Sequence, residues 1–364
     1  MPPPEDLKYA FRGKMYYEID PKTILKTPTP VDPYFRQAWE FCRAWAEGKT
    51  SFVLHTSGST GQPKPIALTR AQMQASARMT QHTLGLEEGQ NALVCLNVAY
   101  IAGTMMLVRG METGMRMYVV PPSSLPFDAL PQSIKIDFAA FVPLQIQTLL
   151  EQGQAHRLNA LNVILVGGAA IGGVLLTQIR RLSVAVFSTY GMTETVSHVA
   201  LQRLNAADVK SESYELLAEI EAETDERNCL RVRGAVTNDE WVQTNDVVAF
   251  TDKRHFQIVG RADNIINSGG VKIQLEIVER AFAHLWKGAE RYFAWWMPDE
   301  RLGQKLILVV ETSQSVDSEW VKKAMGPFLS PYEIPKEVIT VEKFTETPTG
   351  KVDKRATFAR FSAS

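Results

Sequence analysis

Short apolar runs, each closed by a glycine-rich or polar loop, recur along the first half of the chain and constrain its fold more than any other feature. They are Ser51–His55 (SFVLH), Asn91–Leu96, Phe138–Val142, Val163–Val166 and Val184–Ser188. Each is too short for a buried helix and suits a strand, and the stretches Thr69–Leu84 and Gln145–Glu151 between them read as helices. Strands alternating with helices give a mainly parallel sheet, whose ligands bind beyond the carboxyl ends of the strands. The loops to inspect are therefore those after these runs. An earlier helix is expected over Pro33–Glu47, where aromatic residues recur in a helical rhythm and Gly48 follows.

From about Leu216 the pattern changes to strands joined by polar turns (LRVRGAV, EWVQTNDVVAF, HFQIVGR). The polar, glycine-bounded segment Gly260–Gly270 then separates a tail read as helix Leu275–Leu285, strands Tyr292–Met297 and Lys305–Glu311, helix Asp317–Met325 and strand Glu337–Val341. The expected fold class is α/β. A large N-terminal domain, residues 1–260, carries packed sheets and a β-rich subdomain, a hinge lies near 261–263, and a small mobile α+β domain spans 264–364.

Composition narrows the function. With 45% hydrophobic and 22% charged residues, and no apolar run near the roughly 18 residues that span a bilayer, stable membrane insertion is not expected. The start, MPPPEDLKYAFRGK, lacks the basic-then-apolar order of a secretory signal, so a cytoplasmic location is expected. Cys42, Cys95 and Cys229 are far apart and odd in number, as for buried thiols rather than a metal site or disulfide framework. A net charge of -1 gives no global field for nucleic acid, so any anion is held locally.

The loop after the first strand reads Thr56-Ser57-Gly58-Ser59-Thr60-Gly61-Gln62-Pro63-Lys64. Its glycines let backbone amides approach an anion, its hydroxyls donate to phosphate oxygens and Lys64 adds a charge, a mixture suited to a triphosphate; the alternative is a surface turn. It is not a Walker loop, because Gln62 and Pro63 follow Gly61 where that motif has Lys and Ser/Thr opening a helix. Five more segments carry chemistry-bearing residues: Thr189-Tyr190-Gly191-Met192-Thr193-Glu194-Thr195, Gln243-Thr244-Asn245-Asp246, Gly260-Arg261-Ala262-Asp263, Asn267-Ser268-Gly269-Gly270-Val271-Lys272 and Pro348-Thr349-Gly350-Lys351.

In kind, order and spacing, from about residue 50 to the end, these segments resemble the adenylate-forming superfamily of acyl-CoA synthetases, peptide-synthetase adenylation domains and luciferases. The resemblance implies ATP, magnesium and CoA as ligands, with Thr56–Gly61 and Lys64 around the phosphates. It implies that Tyr190 packs on adenine beside Gly191, that Thr193 meets the α-phosphate and that Glu194 holds Mg²⁺. Gly168 and Ala169 border the adenine and acyl pocket. Asp246 receives the ribose hydroxyls, although Asn245 stands where the family has glycine. Arg261 lies near ribose and phosphates, Asp263 is the hinge, and Ser268, Gly269 and Gly270 face the CoA tunnel. Lys351 stabilises charge as a carboxylate attacks the α-phosphorus.

In the loop Leu96–Gly103, Tyr100 replaces the family's aromatic or histidine beside the acyl carboxylate, with Gly103 following. Tyr100 either gates the acyl pocket or is a core aromatic. Little sequence precedes the phosphate loop, so the N-terminal subdomain is expected to be truncated. Among short members the chain is most similar to o-succinylbenzoate:CoA ligases of menaquinone biosynthesis. Ser197 and His198 then offer polar contacts to the acid, His198 being alternatively a structural histidine. The rival functions are activation of another acid, loading of a carrier protein, and nucleotide binding without catalysis.

Overall fold

The computed structural model describes residues 10–11, 14–55, 65–206, 213–286, 288, 290–347 and 352–362. Helix α1 (Pro33–Ala46) starts where Asp32 accepts the amides of Tyr34 and Phe35 and Pro33 presets the first turn, and it buries Phe35, Ala38, Trp39, Cys42 and Trp45 along one face. Helix α2 (Arg70–Leu84) opens on a Thr69–Gln72 capping box and stops at Gly85, which has φ 63°.

The main sheet has twelve strands. Their order is Glu221–Thr224, Cys229–Arg233, Val242–Phe250, His255–Arg261, Tyr214–Leu216, His198–Arg203, Ala185–Gly191, Val163–Val166, Phe138–Phe141, Asn91–Val94, Arg116–Val119 and Tyr17–Ile19. Five neighbours, from Ala185–Gly191 through Arg116–Val119, run parallel. Beyond Ala185–Gly191 the pairing becomes antiparallel. The parallel strands alternate their side chains between two cores: Ala92, Val94, Val163 and Leu165 face one, and Leu93, Cys95, Ile164 and Val166 the other. Burial on both faces explains why they read as unbroken apolar runs.

The first apolar run, Ser51–His55, is not part of that sheet. It forms a separate antiparallel pair with Pro65–Thr69, and the expected phosphate-loop residues Thr56, Ser57, Gly58, Ser59, Thr60, Gly61 and Lys64 between them lie outside the described residues.

Two readings need correction. The segment read as a loop holding Tyr100 and Gly103 ends at Tyr100, and Gly103 lies inside helix α3 (Ile101–Thr113). That helix is buried nearly all round, from Gly103 through Gly110, so it lacks the polar face that would reveal a 3.6-residue period. Gly103 is required because a Cβ there would stand 2.3 Å from the Asn97 carbonyl oxygen. The polar divider Gly260–Gly270 also contains a strand, Ile265–Ser268, which turns through Gly269 and Gly270 into Val271–Gln274. Both glycines have positive φ, as a two-residue hairpin turn demands.

A second sheet of five strands (Val271–Gln274, Ile265–Ser268, Gly303–Glu311, Tyr292–Asp299 and Glu337–Val341) has its own cores around Leu306, Leu308 and Val310 and around Ile307 and Val309. Cys42, Cys95 and Cys229 are buried free thiols. No helix among the described residues is long and apolar enough to cross a membrane.

Candidate functional site

The site is assembled at the end of Ala185–Gly191, where the sheet changes from parallel to antiparallel. Tyr190 emerges there, its ring edge-on to Phe256 with centroids 5.3 Å apart. Its hydroxyl donates to Asp246 Oδ2 at 2.7 Å, while Arg261 Nη1 donates to Asp246 Oδ1 at 2.9 Å. Arg261 also forks onto Asp263, from Nε at 2.9 Å and Nη2 at 2.8 Å. Residues from three separate sequence segments thus form one chain, Tyr190–Asp246–Arg261–Asp263. Burial and the Asp246 carboxylate push the Tyr190 phenol far above its ordinary range. The Arg261 hydrogen bond holds the Asp263 carboxyl below its ordinary value, and the Asp263 bond raises Arg261 in turn.

Asp246 is set by its amide, which donates to Thr244 Oγ1 at 3.0 Å, while that hydroxyl donates to the Leu230 carbonyl. Asn245 lies within the strand Val242–Phe250 and not at positive φ, so replacing glycine there costs no backbone strain. Each carboxylate oxygen of Asp246 has a second lone pair free for a ribose hydroxyl.

Glu194 projects, exposed, from the short turn Thr193–Thr195, with Thr193 buried beside it. No hydrogen bond or ion pair occupies its carboxylate among the described residues, and no cluster of three metal-ligating side chains exists among them. A single free carboxylate fits magnesium, which takes one or two carboxylates and completes its shell with phosphate and water oxygens. Gly168, at φ 87°, and exposed Ala169 follow strand Val163–Val166 in the same region of the sheet. A Cβ at Gly167 would come 2.1 Å from Thr189 Oγ1, and that hydroxyl would have to rotate away to admit a side chain.

Ser197 and His198 face the other way, toward α2 and α3, and there they meet a residue that sequence reading missed. Arg109, 2% exposed, donates from Nη2 to Ser197 Oγ at 2.8 Å and from Nε to Thr80 Oγ1 at 3.3 Å, and lies 3.5 Å from His198 Nδ1. His198 Nε2 is 3.1 Å from Thr80 Oγ1. Among the described residues Arg109 has no carboxylate partner. Burial pulls its pKa down to about 10, and burial with the neighbouring guanidinium drives His198 well below its ordinary value, leaving a neutral imidazole. The only local hint was a charged residue inside an apolar stretch, MMLVRGM.

Other expected residues are placed less closely. Tyr100 is the half-buried N-cap of α3. Gly191 is needed because a Cβ would meet the Ser197 carbonyl oxygen at 2.2 Å. Ser268 is buried and Gly269 donates to the Leu302 carbonyl at 2.8 Å, so this hairpin is anchored in the second sheet. Lys351 lies outside the described residues. Around Asp263, the expected hinge residue, Gln274 Nε2 donates to the Arg261 carbonyl at 2.8 Å and Asn264 Nδ2 to Glu276 Oε1 at 2.6 Å.

Comparison with known proteins gives concordant relatives. The family model described as AMP-binding enzyme matches residues 16–220. A crystal structure of an acyl-CoA synthetase (AMP-forming)/AMP-acid ligase II-like protein from Dyadobacter fermentans is 46% identical, covering 95% of this chain and 99% of that one with a TM-score of 0.67. The 2-succinylbenzoate--CoA ligase of Listeria monocytogenes is 24% identical over 89% of this chain and 73% of its own length. An o-succinylbenzoate coenzyme A synthetase from Bacillus subtilis, in complex with ATP and magnesium ion, shares the fold with a TM-score of 0.70 at 22% identity, over 84% of this chain and 69% of that one.

Proposed function

The chain belongs to the family of AMP-binding enzymes, and we propose that it is an AMP-forming acid:CoA ligase whose acid is o-succinylbenzoate, a step of menaquinone biosynthesis. The observation that carries the choice of acid is Arg109, a buried guanidinium facing Ser197 and His198 without a carboxylate. A buried charge calls for a partner. o-Succinylbenzoate has two carboxylates, so one remains to meet Arg109 while the other reacts. Relatives named 2-succinylbenzoate--CoA ligase support the same acid.

The reaction has two stages. A carboxylate oxygen attacks the α-phosphorus of ATP, forming the acyl-adenylate as the bond to pyrophosphate breaks; the sulfur of CoA then attacks the acyl carbon and AMP leaves. Asp246 accepts the ribose hydroxyls and is held in place by Tyr190 and Arg261. Thr193 donates to the α-phosphate, and Glu194 holds magnesium, which neutralises phosphate charge. Thr56–Lys64 and Lys351, outside the described residues, are assigned to the phosphates and to the charge developing on the transferring oxygens. Residues 1–260 form the nucleotide- and acid-binding domain. The domain 264–364 swings about 261–263 between stages and brings Ser268–Gly270 to the thiol; that swing must release the Gln274–Arg261 contact.

Acid-dependent pyrophosphate release from ATP tests the proposal, with o-succinylbenzoate beside fatty and aromatic acids, for wild type and Lys351→Ala. The expected result is release with o-succinylbenzoate alone, lost in the variant, and thioester formation with CoA. Release with a different acid would remove the menaquinone role. Thioester formation only on a carrier protein would replace CoA, and no release with any acid would favour a nucleotide-binding protein without catalysis.

A further inference from the structure

Val196 is fully buried in the main core, yet its backbone stands at φ 65° and ψ -55°. Positive φ is sterically opposed in a β-branched residue. The Ser197 amide donates across it to the Thr195 carbonyl at 2.7 Å, closing a γ-turn of positive φ, a rare and strained form. Such strain survives only where the surroundings enforce it, and it gathers at functional sites.

Two contacts enforce it here. The buried Thr195 hydroxyl accepts the Met192 amide at 3.0 Å and donates to the Ser197 carbonyl at 2.7 Å, spanning the turn. On the other side the register slips between Tyr190, opposite Ala200, and Gly191, opposite His198. The chain at Ser197 and His198 therefore presses so closely on Gly191 that no Cβ fits. Within four residues the chain carries an exposed carboxylate, Glu194, on one side and a hydroxyl, Ser197, bonded to Arg109 on the other.

We propose that the turn Thr195–Val196–Ser197 is a positioning device for selection of the acid: it fixes Ser197 Oγ, and through it the Arg109 guanidinium, against the second carboxylate of the substrate. This rests on the assignment of the acid pocket above. Thr195 and Val196 touch neither substrate nor reacting atoms; they act through Ser197.

The test uses the full chain with Thr195→Val, which keeps the shape and removes the hydroxyl, Thr195→Ser, which restores it, and Val196→Gly, which removes the steric opposition to positive φ but frees the backbone. In acid-dependent pyrophosphate release, Thr195→Val and Val196→Gly should raise KM for o-succinylbenzoate by about tenfold, the effect of one lost hydrogen bond, with KM for ATP within about twofold of wild type. Thr195→Ser should return the acid KM toward wild type. Equal changes in both KM values, no change in the acid KM, or failure of Thr195→Ser to restore it would each overturn the proposal.

A second readout needs no substrate. The ¹⁵N resonance of the buried Arg109 Nε–H should move in Thr195→Val and return in Thr195→Ser, and an unmoved resonance overturns the positioning role. Wild type that turns over some other acid, or none, would sink the choice of substrate while this resonance still decides the turn. Should Thr195→Val fail to fold, Val196→Gly carries both measurements.

Discussion

At the residue scale, the proposed choice of acid turns on one buried charge. Arg109 is desolvated without a carboxylate among the described residues, so it lowers the stability of the free protein and supplies its attraction only when an anion arrives. Arg109→Met should stabilise the substrate-free protein by about 1 kcal/mol or more, seen as a higher melting temperature. The same change should raise KM for o-succinylbenzoate by about 100-fold, the usual size for truncating a buried charge pair. A fall in melting temperature with unchanged KM would count against the assignment. His198 gives a pH signature. Its folded pKa is depressed below 6.5 by burial and Arg109, so below pH 6.5 the unfolded chain takes up a proton that the folded one refuses. Stability should then fall as the pH drops below about 6.5, by up to about 1.4 kcal/mol per unit, and His198→Gln should flatten that slope in denaturant titrations between about pH 7.5 and 5. Equal slopes in both proteins would contradict a neutral buried histidine.

At the scale of elements, glycines mark where backbones touch. Gly103 lets the first turn of α3 lie on the chain at Leu96 and Asn97, and α3 delivers Arg109 two turns later. Gly103→Ala should therefore cost about 1–3 kcal/mol, as overpacking does, and should weaken acid binding because α3 must shift. Thermal melts and the acid KM together check this, and an unaltered protein would mean that the loop yields freely. Four of the five parallel strands were legible because burial on both faces leaves continuous apolar runs; Arg116–Val119, which opens on an exposed arginine, was not read. Helix α3 was not legible either, because full burial removes the polar face from which a helix is read. The hairpin Ile265–Ser268 to Val271–Gln274 was hidden by its brevity and by Asn267 and Ser268, polar residues that pairing, not hydrophobicity, holds in a strand.

At the scale of the whole molecule, each of the two sheets has its own cores. Among the described residues the hydrogen bonds joining them include Arg280 to the Ile258 and Val259 carbonyls and Gln274 to that of Arg261. Independent cores joined by polar contacts favour relative motion of the parts. A chain ending at residue 260 should accordingly stay soluble and melt cooperatively, and should lose thioester formation. Aggregation of that fragment, or a melt without a cooperative transition, would argue for a single folding unit instead.

What could be read along the chain was information carried by neighbours in sequence. The apolar runs, the hydroxyl and glycine loop at Thr56–Lys64, and the segments around Tyr190, Asp246 and Arg261 have their character within a few residues. The alternation of strand and helix also follows from local periodicity. The tertiary structure decided what distant segments do together. It joined Tyr190 to Asp246 and Arg261, brought Arg109 to Ser197 across 88 positions, and forced Val196 into a turn its own branched side chain opposes. Local patterns record only which face of an element seeks a core; a buried charge or a strained turn exists because the rest of the fold encloses it, and no neighbour in sequence encodes that enclosure.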